Sequence, residues 1–319
     1  MRIVAGLCFL GLAGVASASF DLMLLPDQNT GRVVRLDPVT GVSLGSFGPV
    51  GLVGAARRYV SVMTPTRVAH TGATGTTVYD PNTGAAEAQR NIPNVLTTGL
   101  SSGDGLLEVF SNSVFRYDAS LASHTSVGTA LVTSVGMLAY SYNDFFVLGT
   151  VGSGDLQARR FTNMVGGVST PLLAASVFNV NTFGTGQGMV VGNSYSYRIV
   201  YQNPTGINQL LTLSVNLTTF SVTTSTTALN NSSLFSSAAR LSIMPAHTGY
   251  YVVGDDATNP AQTRISYYSA ENVIQSSFAT SAVDVTSLQW SGGIILAPEP
   301  SSLGVFAVAG AMLLRRRKR

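Results

Sequence analysis

Apolar runs of three to five residues recur along the chain at 22–25, 59–62, 106–110, 145–148, 189–191 and 250–253, each bounded by polar or turn-forming residues. They are too short for helices and rich in β-branched and aromatic side chains, so they predict strands. Each is followed by a second pattern, two extended stretches around a turn. The clearest copies are Asp37-Pro38-Val39-Thr40-Gly41 within 33–44 and Asp80-Pro81-Asn82-Thr83-Gly84 within 78–84. Asp accepts hydrogen bonds from the turn backbone, Pro presets the first corner, and Gly takes the positive φ that closes a hairpin. Weaker copies follow at 114–118, 158–162, 213–216 and 265–269.

The turn residues 37, 80, 118, 162, 216 and 269 are spaced by 43, 38, 44, 54 and 53 residues. A period of 40 to 50 residues built from short antiparallel strands predicts an all-β fold, a single β-propeller of six blades, with seven as the near alternative. Residues 283–288 and 293–296 resemble the start of another unit. Their pairing with the N-terminal unit would close the ring and remove exposed sheet edges. Tandem β-sandwiches are the competing architecture, which would not require the repeat.

Composition supports a folded chain: 45% of the 319 residues are hydrophobic and 10% charged. The net charge of +3 suggests a nucleic-acid or acidic-membrane partner until its distribution is read. Arg2 and the last five residues, Arg315, Arg316, Arg317, Lys318 and Arg319, leave 12 basic against 15 acidic groups elsewhere. No nucleic-acid partner is therefore expected. Lys318 is the only lysine, which removes phosphate-loop, Schiff-base and lysine-base chemistry from the body.

Both termini carry processing signals. Met1-Arg2, an apolar run over 3–14 and the small-x-small site Ala16-Ser17-Ala18 predict a secretory signal peptide over 1–18, cut between Ala18 and Ser19. Cys8, the only cysteine, falls inside it, so the mature chain should lack disulfides and thiolate metal sites. At the other end, Pro298, Glu299 and Pro300 precede Ser301-Ser302, an apolar stretch over 303–314 and the basic cluster Arg315 to Arg319. Two prolines stop regular structure, the apolar stretch can enter a bilayer, and the basic residues stay cytoplasmic.

This three-part tail resembles the PEP-CTERM sorting signal of exported Gram-negative bacterial proteins, a substrate of the membrane-embedded cysteine protease exosortase. The resemblance implies cleavage at or near Pro298-Glu299-Pro300 and transient inner-membrane contact through 303–314. It further implies delivery to the cell surface or an extracellular polysaccharide matrix, with the export machinery and exosortase as processing partners. The apolar stretch of 12 residues is short of the roughly 20 that span a bilayer, which favours processing over a permanent anchor. The chain thus divides into a leader (1–18), a propeller body (19–297) and a sorting signal (298–319).

The body offers little chemistry. His70, His124 and His247 fall at non-equivalent places in the repeat and read as scattered surface residues, so no metal or cofactor is expected. Acid/base pairs could be drawn from Asp104, Asp118, Asp144, Asp155, Asp255, Asp256 or Asp284, yet most lie beside Gly, Ser or Asn, where Asp commonly stabilises a turn. No catalytic residue is assigned, and the chain is read as a non-enzyme. Gly41-Val42-Ser43-Leu44-Gly45 matches a nucleophile elbow, but the elbow needs a following helix, and here Ser43 falls on a hairpin arm. Asp255-Asp256 and Gly103-Asp104-Gly105 lack the ligand spacing of a calcium loop.

Trp290 and the clusters Tyr140/Tyr142, Tyr195/Tyr197, Tyr250/Tyr251 and Tyr267/Tyr268 could stack on sugar rings, although in a propeller such residues usually fill the space between blades. The Thr/Ser-rich stretch 217–237 reads as the most loop-like part of the body. The expected function is a non-catalytic surface or matrix protein with a binding or structural role in extracellular polysaccharide. An extracytoplasmic hydrolase or lyase acting on polysaccharide or lactone, and a protein-binding scaffold, are the alternatives.

Overall fold

A computed structural model of the chain describes residues 21–297 except 49–56, 73, 92–95, 100–104, 111–112, 130–132, 140–143, 151–154, 163–164, 177–178, 181–183, 186–188, 192–193, 217, 220, 237–239 and 286–288. The signal-peptide residues Ala16, Ala18 and Ser19, the sorting motif at 298–300, the 303–314 stretch and the basic tail lie outside the described residues. So do Asp104, Tyr140 and Tyr142. Among the described residues no helix is long and apolar enough to cross a membrane.

The body is a β-propeller of antiparallel sheets. Sheet I holds Leu22–Pro26, Val33–Leu36 and Ser43–Phe47; sheet II holds Arg57–Thr64, Arg67–Gly72, Gly75–Tyr79 and Ala86–Arg90. Sheet III holds Leu96–Gly99, Gly105–Phe110, Ser113–Asp118 and His124–Thr129; sheet IV holds Thr133–Ala139, Asp144–Thr150, Asp155–Thr162 and Val165–Ser176. In sheet V the strands Ser194–Gln202, Asn208–Asn216 and Val222–Ala228 follow an inner strand split into Asn179–Val180 and Met189–Val191. Sheet VI holds Ser242–Pro245, Gly249–Asp255, Thr263–Ser269 and Ile274–Thr280. Five sheets are thus uninterrupted blades against the six expected, and the remaining one, sheet V, departs through its divided inner strand.

Closure follows the expected route and adds to it. Gly293–Ile295 pairs antiparallel with Leu22–Pro26 and completes sheet I. Gln289–Ser291 pairs parallel with Arg57–Thr64 of sheet II, so the C-terminal passage serves two neighbouring sheets. A second parallel insert, Gly184–Thr185, pairs with Thr133–Ala139 and approaches the first strands of sheets II, III and VI, which fills part of the space around the axis. Residues 283–285, expected as strand, are an irregular connection. Val283 and Val285 are buried there, and the Thr263 hydroxyl donates to the Val283 carbonyl at 2.9 Å.

Burial follows distance from the axis. In sheet VI all seven residues of Gly249–Asp255 are buried, whereas the outer strand Ile274–Thr280 is largely half-buried. An inner strand lies between two neighbouring blades, so both of its faces need apolar side chains. Between sheets I and II, for example, Leu24, Val33 and Phe47 pack with Val60, Val62 and Val68. Each such side chain contributes about 1.5–3 kcal/mol by leaving water.

Two expectations about exposure change. The stretch 217–237 contains the regular outer strand Val222–Ala228, because its β-branched threonines extend readily along the Asn208–Asn216 edge. His70 is not a surface residue. It lies in the second strand of sheet II, 2% exposed, because sheet I packs over that face.

Candidate functional site

Antiparallel succession gives each sheet two ends. At the turn end the third strand reverses into the fourth; at the crossover end the second reverses into the third, and the chain passes to the next sheet.

The turn end is built by the repeat. Asp37 Oδ1 accepts from the Val39 N–H at 2.8 Å, Asp80 Oδ1 from Asn82 at 2.8 Å, Asp118 Oδ1 from Ser120 at 3.0 Å and Asn216 Oδ1 from Thr218 at 2.9 Å. In sheet VI the Ser269 hydroxyl takes the same role toward the Glu271 N–H at 3.3 Å. Gly41 and Gly84 adopt φ +72° and +75°, as the turn requires. Arginines then tie neighbouring turns together: Arg35 donates to the carbonyl of Asn82 at 2.8 Å, Arg67 to Ala119 at 2.6 Å and Arg198 to Ala270 at 3.4 Å. Asp118 is drawn down to about 2 by the hydroxyls of Ser123 and Ser120. These carboxylates are occupied by their own turns.

The crossover end of sheets VI, I and II uses the same local turn at Asp27 and Asp256 and adds contacts between distant residues. Asp27, after the second strand of sheet I, is 6% exposed. Its Oδ2 accepts from the Thr30 N–H at 2.9 Å and hydroxyl at 2.6 Å, and its Oδ1 from the Asp284 N–H at 2.9 Å. Its carbonyl accepts from Arg58 Nη1 at 2.6 Å. Arg58 opens the first strand of sheet II with its side chain fully buried, and its Nε and Nη2 have no hydrogen-bond partner. Burial lowers the Arg58 pKa against the pull of Asp27. His70 pairs across from Val60, on the same face of sheet II as Arg58. Burial first, then the Arg58 charge, pushes it down to about 4, so it is neutral at physiological pH.

Asp255 and Asp256 end the second strand of sheet VI with opposite fates. Burial would raise Asp256, but hydrogen bonds from Thr258, Asn259 and Arg264 outweigh it and hold the carboxyl at about 2, ion-paired with Arg264. Asp255 is 8% exposed, and burial, then the Asp284 carboxylate, raises it to about 6. Asp284 in turn accepts from Asn29 Nδ2 at 3.1 Å, while Asn29 and Thr30 stand exposed beside it. The end therefore offers exposed hydrogen-bonding groups above one buried carboxyl that titrates near neutrality.

The other sequence candidates disperse. Glu108 of sheet III, buried, pairs with Arg90 of sheet II and accepts from Thr76 at 3.0 Å; Arg90 also lies 3.8 Å from the Tyr117 ring centroid. That set is an inter-sheet joint. His124 is exposed and stacks on Tyr117 at 5.1 Å, and His247 sits exposed in a turn. Asp155 lies in sheet IV, and only the backbone of Asp144 is described, in the strand before it. Ser43 is an exposed strand residue, without the helix a nucleophile elbow requires. Trp290 is fully buried, its Nε1 donating to the Arg240 carbonyl at 3.1 Å. Tyr250 stacks on Tyr268 at 5.3 Å within the core, so these rings are packing residues. Among the described residues no three His, Cys, Asp or Glu side chains group as a metal site. Sequence reasoning missed Asp27 and Arg58; Asp27 carried a signal in Asp27-Gln28-Asn29-Thr30-Gly31, which has the Asp-x-x-Thr-Gly spacing of the turns, and Arg58 only in the charged pair Arg57-Arg58 opening an apolar run.

No family model matches the chain, and no curated protein does. Its fold is similar to solved propellers at low identity. A protein of unknown function from Bacteroides caccae is 10% identical, with 87% of this chain and 99% of that one covered at a TM-score of 0.56. The SapL1 lectin in complex with alpha methyl fucoside is 11% identical over 84% of this chain and 97% of that one, TM-score 0.52. The putative TolB from Agrobacterium tumefaciens is 9% identical over 88% and 99%, TM-score 0.51.

Proposed function

We propose that the chain is an exported protein of the cell surface or extracellular matrix, processed by exosortase at Pro298-Glu299-Pro300, whose propeller binds polysaccharide without turning it over. The observation that carries the binding half of this reading is the crossover end of sheets VI, I and II. There the groups that face solvent, Asn29 and Thr30, are hydrogen-bonding side chains suited to sugar hydroxyls, while Asp255 and His70 lie buried beneath. A lectin among the structurally similar propellers agrees with this use of the fold, which by itself decides no function. The two terminal signals carry the export half.

Binding of the purified protein to a panel of neutral and acidic polysaccharides, with mass spectrometry of the supernatant, tests it. Saturable binding with intact polymer is expected, and loss of binding in Asn29→Ala with Thr30→Ala. Product release would contradict the reading. Asp255 favours one alternative, a hydrolase or lyase, because a carboxyl titrating at about 6 beside a second carboxylate is suited to proton transfer. That reading requires product formation that Asp255→Asn abolishes.

A further inference from the structure

The outer strand of sheet V, Val222–Ala228, lacks every device that guards its five counterparts. Each of the others is interrupted by a register shift against its neighbour. Ser43–Phe47 also carries Gly45 at φ +101°, Ala86–Arg90 carries Glu87 and Arg90, and Val165–Ser176 carries Pro171. Val222–Ala228 pairs with Asn208–Asn216 without a shift and holds no charge, Gly or Pro. Residues 223–228 are exposed, and among the described residues no strand pairs with the outer edge. Long regular edges without charge or bulge are templates for further pairing.

The backbone directions are fixed at both ends of the strand. The Ser221 carbonyl accepts from the Asn216 N–H at 2.9 Å, and the Leu229 N–H donates to the Asn208 carbonyl at 2.9 Å. Odd-numbered residues therefore turn their peptide groups inward and even-numbered ones outward. Ala228 is already used, since its carbonyl accepts from Asn272 Nδ2 at 2.7 Å. Val222, Thr224 and Thr226 present the remaining outward edge.

We propose that this edge is a self-association surface that pairs antiparallel with the same strand of a second copy, about a twofold axis at Thr224. Thr224 then faces Thr224 and Val222 faces Thr226. Outward groups meet outward groups, and no charge meets its like. The strand is thus its own complement, which singles out a second copy as the occupant, and an isologous contact of this kind closes as a dimer. One strand edge buries much less than the roughly 800 Å² per partner of a standard interface, so a weak dissociation constant, about 10 μM to 1 mM, is expected.

Sedimentation of the purified protein across about 1 μM to 1 mM tests this. The weight-average mass should climb from monomer toward dimer. Thr224→Pro removes an outward N–H and leaves the inner ladder intact, and Thr224→Lys adds a guarding charge. Both should raise the dissociation constant at least about tenfold with an unchanged melting temperature. Gln89→Lys, on the outer strand of sheet II, should change nothing. A protein that stays monomeric throughout, variants that associate like the wild type, or an equal loss in Gln89→Lys would each overturn the proposal.

Discussion

The two ends of the sheets are made by different rules. At the turn end one local device recurs from Asp37 to Ser269, each acceptor bonding a backbone N–H two residues on. At the crossover end of sheets VI, I and II the same local turn recurs at Asp27 and Asp256, but contacts between residues 31 and 257 positions apart are laid over it. Repetition is what a propeller needs to place its blades. The long-range contacts of the crossover end have no counterpart at the turn end, and there burial raises the Asp255 pKa to about 6 and leaves Arg58 with two unpartnered nitrogens.

The largest effect should come from the buried joint near that end. Glu108→Ala strands the Arg90 charge between sheets II and III and should cost about 3–5 kcal/mol in urea unfolding. A cost below about 1 kcal/mol would show that the pair is solvated. Next, Asp255→Asn should raise the melting temperature at pH 7.5 by about 2–5 °C, because it removes a carboxylate that ionises at a cost in the fold.

The same variant should unmask a pH dependence. Asp255, raised to about 6, loses stability as pH rises from about 4 to 6, since the unfolded chain ionises first. His70, lowered to about 4, acts oppositely: its contribution is present above about 6.5 and is lost as pH falls toward 4. Their slopes offset in the wild type. In Asp255→Asn stability should fall steadily from pH 6.5 to 4.5, and in a His70→Gln variant it should rise. Identical profiles for all three proteins would contradict the assignment.

The turn end should respond more weakly and additively. Arg35→Met, which frees the carbonyls of Pro81 and Asn82, should cost about 1 kcal/mol. Asp80→Ala should lower the melting temperature slightly, and combined with Asp118→Ala in the next blade the losses should sum. Strong coupling between these two turns would break the contrast drawn between the ends.

What the sequence disclosed follows this division. The turn residues were legible because their chemistry is local: Asp, Pro and Gly act within five positions, and all six repeat positions fall where a third strand ends. The closing strand Gly293–Ile295 was legible as a leftover piece of the repeat. The strand Val222–Ala228 was hidden because Ser and Thr signal loops by composition, while their strand propensity acts only beside an existing edge. The burial of His70 was unreadable, since it is imposed by sheet I rather than by its own strand. The meeting of Asp27, Arg58, Asp255 and Asp284 carries no spacing rule, because three sheets supply it.

The most direct measurement is equilibrium binding of polysaccharide to the wild type, the Asn29→Ala, Thr30→Ala double variant and the Asp80→Ala variant, with the supernatant assayed for product. The account predicts no product, binding lost in the first variant and binding retained in the second. Product from the wild type, or binding that falls with Asp80→Ala and survives at Asn29 and Thr30, would contradict it.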